Sequence, residues 1–198
     1  FLCGGVTHAS FGGLGIALYA GTNPLWGALL FAAASALGIE WASTNGKIRE
    51  DSAIGIVWSI GMAIGALFMS LTPGYTSGDL SSYMFGSIIT VTSSDVMAMG
   101  LLAAICVIGT LFWWRSIMYM AFDRNFAASQ GIATRTASYA LMIVVAIAIV
   151  MAIRIMGIVL LLSLFTIPAV TANALTKSYA SISFWAAIIA TSSAVIGL

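Results

Sequence analysis

The sequence predicts an all-α membrane protein, a bundle of helices that crosses the lipid bilayer several times. Of its 198 residues, 61% are hydrophobic and only 7% are charged, and the mean hydropathy is +1.09. A chain of this composition has too little polar surface to cover a water-soluble globule. The apolar residues also form long uninterrupted runs without the alternation of a transmembrane barrel, and helices satisfy every backbone hydrogen bond within one segment.

Seven segments are long and apolar enough to be read as spans, since a transmembrane helix needs about 20 residues. Polar residues, glycines and prolines separate them into 1–20, 24–41, 52–70, 96–114, 138–153, 157–175 and 182–198. Phe1 and Leu198 lie inside apolar runs, so we expect a fragment with incomplete first and last spans. Residues 71–95 are too polar to span and predict a short interfacial helix with loops. Residues 1–198 are expected to form one transmembrane domain.

The cationic residues predict the orientation, because lysine and arginine accumulate in short cytoplasmic loops. Strict alternation from a cytoplasmic 115–137 loop leaves Arg154 as the one cation outside. The others are then inside: Lys47, Arg49, Arg115, Arg124, Arg135 and Lys177. The external side receives the 71–95 stretch, which carries Asp79 and Asp95 but no cation. This difference in charge between the two sides of the membrane supports the predicted alternating topology.

Several residues near or within the predicted spans carry expectations about packing. Small residues at four-residue spacing, such as Gly61 and Gly65, predict close approach of helices. Pro168 removes a backbone hydrogen bond and predicts a bend, which either only bends the sixth span or also opens carbonyls near Leu164 to an ion path. The charged residues near span ends are expected to be solvated or to reach the membrane surface. They are Glu40, Glu50, Asp51, Arg154 and Lys177.

The strongest single feature of the sequence lies between residues 113 and 132, in the loop that is expected to be cytoplasmic. Asp123 can cap a short helix that carries Phe126 one turn later, and Gly131 suits the end of that helix. This element exposes Phe122 and Phe126 to water unless something covers them. Either a partner protein covers these aromatic side chains, or they rest on the bilayer.

Several motifs resemble one transporter family. The pattern F-D-x-x-F-A-x-x-x-G at residues 122–131 resembles the cytoplasmic coupling segment of the permeases of ABC importers for zinc, manganese and iron. Four further stretches resemble the same family in the same order along the chain. They are THASFGG at 7–13, REDSAIGI at 49–56, FGSI at 85–88 followed by Ser94 and Asp95, and the late helix that contains Gly157, Ile158, Ser163 and IPAVTA at 167–172. Together the motifs cover essentially the whole chain.

The resemblance implies a type II importer permease with eight or more helices, of which seven are visible, in a bacterial-type cytoplasmic membrane. The implied partners are a second permease copy, two cytoplasmic ATPases and an extracytoplasmic metal-binding protein. The transported metal, zinc first and manganese or iron next, is cargo, and no cofactor is expected on this chain. Residues 115–135 would couple the permease to the ATPases. In this segment Phe122, Asp123, Phe126 and Gly131 match the family motif.

His8 is the one histidine of the chain, and it is the candidate metal ligand. At about 1.5 Å per residue it lies roughly 12 Å above Phe1, inside the hydrocarbon, where an ionisable group is expensive. Imidazole binds first-row divalent metals, so His8 either lines the ion path or hydrogen-bonds a neighbouring helix. The family commonly carries an aspartate four residues earlier, but this chain has Gly4 there. A backbone carbonyl or another helix would have to assist His8.

Other function classes find little support in the sequence. The chain has no phosphate-binding loop G-x-x-x-x-G-K-[ST] and no H-E-x-x-H or G-x-S-G motif, so neither an ATPase nor an intramembrane protease is expected. An ion-driven secondary carrier would need carboxylates at mid-membrane, and no Asp or Glu of this sequence lies clearly there. The net charge of +1 gives no basic face for nucleic acid. A permease for iron chelates or cobalamin is the nearer alternative.

Overall fold

The protein is entirely helical in the part of the chain that its computed structural model describes, which comprises residues 2–45, 48–74, 84–86 and 91–197. Its helices are α1 (Leu2–Tyr19), α2 (Pro24–Asn45), α3 (Glu50–Leu71), α4 (Ser93–Phe122), α5 (Arg124–Ser129), α6 (Thr134–Leu175) and α7 (Tyr179–Ile196). Five of them, α2, α3, α4, α6 and α7, are long and apolar enough to cross a membrane. The predicted fold class is confirmed.

Helix α1 lies at the centre of the bundle. Of its 18 residues, 11 are buried, and it packs against α2, α3 and α6. Helix α1 is not one of the five apolar spans, because its glycines and polar residues lower its hydropathy. Protein rather than lipid surrounds most of this helix.

Glycines bring α1 into backbone contact with both of its main neighbours. A Cβ at Gly13 would overlap the carbonyl oxygen of Gly27 on α2, and one at Gly15 would lie 2.6 Å from the carbonyl oxygen of Gly65 on α3. In lipid, where apolar burial gives no drive to associate, such close approach is a main source of helix attraction. Helices α1, α2 and α3 therefore form one tightly packed unit, as the small-residue spacing of α3 predicted.

Helix α6 contains two of the predicted spans. Its 42 residues would extend about 63 Å if straight, roughly twice the hydrocarbon thickness. The helix breaks at Gly157, which has φ 75° and ψ 170°, so the two halves match the predicted 138–153 and 157–175 spans. The backbone of residues 84–86 packs against this break. The non-helical dihedral angles lie at Gly157 and not at Pro168, which sits inside a helical stretch.

Helix α4 is longer than the predicted span 96–114, because it continues to Phe122 after a kink at Trp113. Asp95 is its one buried residue, and large side chains such as Leu111 and Phe112 are exposed. The predicted interfacial helix within 71–95 lies largely outside the described residues. Its described end contains Thr92, which caps α4 by a reciprocal pair of hydrogen bonds with Asp95.

Candidate functional site

His8 projects from α1 into the space between α1 and α3. Its Nδ1 lies 2.9 Å from the carbonyl oxygen of Gly4, and its ring stacks on the indole of Trp58 with centroids 4.2 Å apart and planes at 21°. A carbonyl oxygen can only accept, so Nδ1 donates and the neutral ring keeps its lone pair on Nε2. Within the described part of the chain Nε2 has no hydrogen-bond partner. This tautomer has a nitrogen free to bind a metal ion.

Gly4 stands where the family resemblance leads one to expect an aspartate. Its carbonyl oxygen orients the His8 ring through the hydrogen bond to Nδ1. A Cβ added at Gly4 would meet only Leu162 at 3.5 Å and Trp58 at 3.9 Å, which are ordinary contacts. Among the described residues, no three His, Cys, Asp or Glu side chains come together as a metal-binding group. The metal role of His8 therefore stays a prediction.

The predicted helix of the coupling segment is present as α5. The carboxylate of Asp123 accepts from the backbone N–H groups of Asn125 at 2.8 Å and Phe126 at 3.2 Å, which satisfies two of the free donors at the helix start. Gly131 follows the helix with φ 78°, a conformation that glycine adopts without strain. The predicted cap and helix end are both confirmed.

The aromatic residues of the coupling segment remain exposed at its surface. Phe126 is 48% exposed and Phe122 is 68% exposed. Phe126 makes an edge-to-face contact with Tyr119 of α4, and Phe122 makes one with Tyr179 of α7. The structure therefore brings Phe122, Asp123, Phe126 and Gly131 together at one end of the bundle. Their role in coupling is a prediction.

Glu40 corrects one expectation, because it is neither solvated nor snorkelling. Its side chain is 2% exposed and forms a two-point ion pair with Arg124, with Nη1–Oε1 at 2.9 Å and Nη2–Oε2 at 3.2 Å. The hydroxyl of Thr44 donates to the same carboxylate at 3.2 Å. A carboxylate inside a long apolar run is expensive unless it is paired, and this signal could have identified Glu40 from the sequence.

Arg154 is half exposed, and it also forms an ion pair. Its Nη1 lies 2.9 Å from Oδ1 of Asp95, whose side chain is 9% exposed. Both residues were predicted on the external side, whereas Glu40 and Arg124 were both predicted on the cytoplasmic side. Each ion pair therefore joins residues of one predicted side, which is the pattern that the alternating topology requires.

These features define a class, a multi-pass helical membrane protein with a glycine-packed centre and a histidine inside it. Comparison with known proteins is more specific, because residues 1–198 match the ABC 3 transport family. The chain belongs to this family. Membership confirms the recognised resemblance and the expectation that this is a membrane permease chain and not the ATPase of an ABC transport system.

Two curated relatives and one solved structure illustrate the similarity. An uncharacterized membrane protein of Synechocystis sp. is 34% identical over 173 residues, 87% of this chain and 61% of that protein. The manganese transport system membrane protein MntC of Listeria innocua serovar 6a is 34% identical over 194 residues, 98% of this chain and 68% of that protein. The structure of PsaBC from Streptococcus pneumoniae in complex with Fab has a TM-score of 0.78 and 25% identity, covering 99% of this chain and 70% of that one. The chain thus spans 61% to 68% of the length of these curated relatives.

Proposed function

We propose that this chain is the membrane-spanning part of an ABC importer that carries a divalent transition metal ion, with manganese as the first candidate. The L. innocua relative is named as a manganese transport protein, which favours manganese over the zinc that the resemblance put first. The proposed partners are separate ATPase subunits, a second permease copy and an extracytoplasmic metal-binding protein. The proposed cycle is alternating access, in which ATP binding and hydrolysis open the path to one side and then the other.

The observation that carries this proposal is the geometry of His8. An imidazole that donates through Nδ1 to Gly4 presents Nε2 as a ligand for first-row divalent ions. His8 lies on the glycine-packed central helix α1, with its ring stacked on Trp58 of α3. Leu162 of α6 lies close to Gly4, one turn earlier on α1. Ions would pass His8 one at a time and exchange it for water or carbonyl oxygens on either side.

His8→Ala is expected to lower manganese uptake by about tenfold or more, since losing even an outer partner of a metal ligand costs about 10- to 100-fold. The measurement is ATP-driven uptake into proteoliposomes that contain the complete complex, with manganese, zinc and iron compared. His8→Asn, which keeps a polar side chain but no imidazole, should show the same loss. Gly4→Asp places its Cβ at ordinary contact distance from Leu162 and Trp58 and should tighten metal binding by adding a carboxylate one turn from the imidazole.

Cys3→Ala serves as the control for substitution in α1, because five helical residues rotate Cys3 roughly 140° away from His8. Its uptake should equal that of the unmodified complex. Equal uptake by His8→Ala would refute a role for His8 in the ion path. Transport of an iron chelate or cobalamin without transport of free metal would refute the proposed cargo.

Phe126→Asp is expected to abolish ATP-driven uptake while the permease still inserts and folds. Phe126 is half exposed, so only part of its apolar surface is buried within the permease, and an acidic residue in the first turn of α5 is compatible with the helix dipole. What the substitution removes is the apolar contact that an ATPase would make. Co-purification of the ATPase with the permease and uptake by the complex measure the effect.

Asn125→Asp is the matched control for Phe126→Asp. It adds the same charge to the same turn at an exposed position and should leave ATPase binding intact. Retention of both ATPase binding and uptake in Phe126→Asp would mean that this aromatic side chain rests on lipid instead.

A further inference from the structure

We propose that the ion pair between Glu40 and Arg124 links the coupling helix α5 to the central unit α1–α3, so that movement of α5 is transmitted to the helix that carries His8. In this role Glu40 is a positioning residue. It affects the ion path indirectly, by holding α5 in place against α2. The inference rests on the proposed function, and it adds to it the residues through which the ATPase would act on the permease.

The geometry of the pair suits a mechanical link. Both guanidinium nitrogens of Arg124 that face Glu40 donate to it, at 2.9 and 3.2 Å, and Nη1 also donates to the hydroxyl of Thr44 at 3.1 Å. Two parallel bonds to a carboxylate fix direction as well as distance. The Glu40 side chain is almost completely buried, at 2% exposure, so water does not readily replace Arg124 as its partner.

The backbones of α5 and α2 do not provide the link themselves. No Cα atom of α5 lies within 8 Å of a Cα atom of α2, so the side chains of Arg124, Glu40 and Thr44 bridge the gap. The other route from α5 to the central unit runs along the chain into α6, which packs against α1 and α2. The ion pair is the direct route and sets where α5 stands relative to α2.

Movement of α2 would reach His8 because α2 and α1 are locked together. The contact between Gly27 and Gly13 has no space for a Cβ on either side, so neither helix can slide past the other without separating. Glu40 and Gly27 are 13 residues apart on α2, about 20 Å along a helix. A rigid α2 would therefore carry a displacement from the level of α5 to its contact with α1 in the first turn of α2.

The test measures metal ions imported per ATP hydrolysed by the complete complex, with Glu40→Gln and Arg124→Gln compared with the unmodified complex. We expect each variant to keep hydrolysing ATP while the ratio falls by about fivefold or more, the low end of typical coupling between sites. The matched controls are Asp51→Asn and Arg49→Gln, which remove an ion pair that is 3.9 Å long and mostly exposed, at 68% and 86%. Both controls should keep the unmodified ratio.

An unchanged ratio in Glu40→Gln and Arg124→Gln would overturn the proposal. This includes the case in which uptake and hydrolysis both fall in the same proportion, because that is the result of a pair that only stabilises the fold. If the unmodified complex imports no metal, the proposed function fails, and a second measurement that needs no cargo decides the link.

That second measurement is the distance between spin labels at Asn45→Cys on α2 and Ser129→Cys on α5, with Cys3 and Cys106 replaced by alanine. In a complex that keeps Glu40, addition of a non-hydrolysable ATP analogue should leave this distance unchanged, because the two helices move together. With Glu40→Gln added, the nucleotide should shift or broaden the distance distribution. The same response with and without Glu40 would refute the link.

Discussion

Gly27→Ala is expected to destabilise the permease, whereas Gly38→Ala on the same helix should leave it unchanged or slightly more stable. A Cβ at Gly27 would overlap the carbonyl oxygen of Gly13 and approach the Ala17 Cβ to 2.5 Å, but one at Gly38 meets nothing within 4 Å. Overpacking of this kind costs about 1–3 kcal/mol. Alanine at an open helical position gains up to about 1 kcal/mol over glycine.

The two alanine variants thus differ in the sign of their effect as well as in its size. The measurement is the thermal midpoint of the full-length permease in detergent, which should fall for Gly27→Ala and hold or rise for Gly38→Ala. Equal midpoints would contradict the close contact between α1 and α2, and with it the rigid unit through which α2 would carry movement to His8.

Gly157→Ala should destabilise the permease more than Gly27→Ala, because it adds a strained backbone conformation to a steric overlap. The φ of 75° and ψ of 170° at Gly157 fall in a region that other residues occupy at a cost of about 1–3 kcal/mol. Its added Cβ would also overlap the backbone of Phe85 and Gly86, and overpacking adds about 1–3 kcal/mol. We expect a loss of about 2–6 kcal/mol, read as a lower thermal midpoint and a smaller yield of folded protein.

Gly131→Ala separates the two causes of this loss. Gly131 also has a positive φ, 78°, but a Cβ there would meet nothing within 4 Å. It should show the conformational cost alone, about 1–2 kcal/mol. If Gly157→Ala and Gly131→Ala were equally destabilised, the packing of residues 84–86 against the break in α6 would be refuted.

The long helices could be predicted because each depends on a continuous apolar stretch of its own. The same is true of the cap of α5, since Asp123 and the N–H groups that it binds lie within three residues. Features that join distant parts of the chain could not be read in this way. Glu40 and Arg124 are 84 residues apart, and the sequence could at most identify Glu40 as a carboxylate in need of a partner.

The candidate site shows the same division. His8 was identifiable because an imidazole in an apolar span is unusual, and Gly4 because the motif around it could be compared with a family. The stacking of His8 on Trp58 of α3 depends on how two helices pack, and a local sequence pattern does not predict that packing. The break at Gly157 was predicted as a boundary between spans, but its positive φ and its contact with residues 84–86 arise only in the folded chain.

The two ion pairs also constrain which substitutions the protein can accept over time. Each consists of a buried carboxylate and a half-exposed arginine, Glu40 with Arg124 and Asp95 with Arg154. Loss of one partner of a buried pair costs about 3–5 kcal/mol, whereas replacement of both by apolar residues is often neutral. Positions 40 and 124 should therefore be inherited together, as should positions 95 and 154, because an intermediate with one lone charge would be selected against.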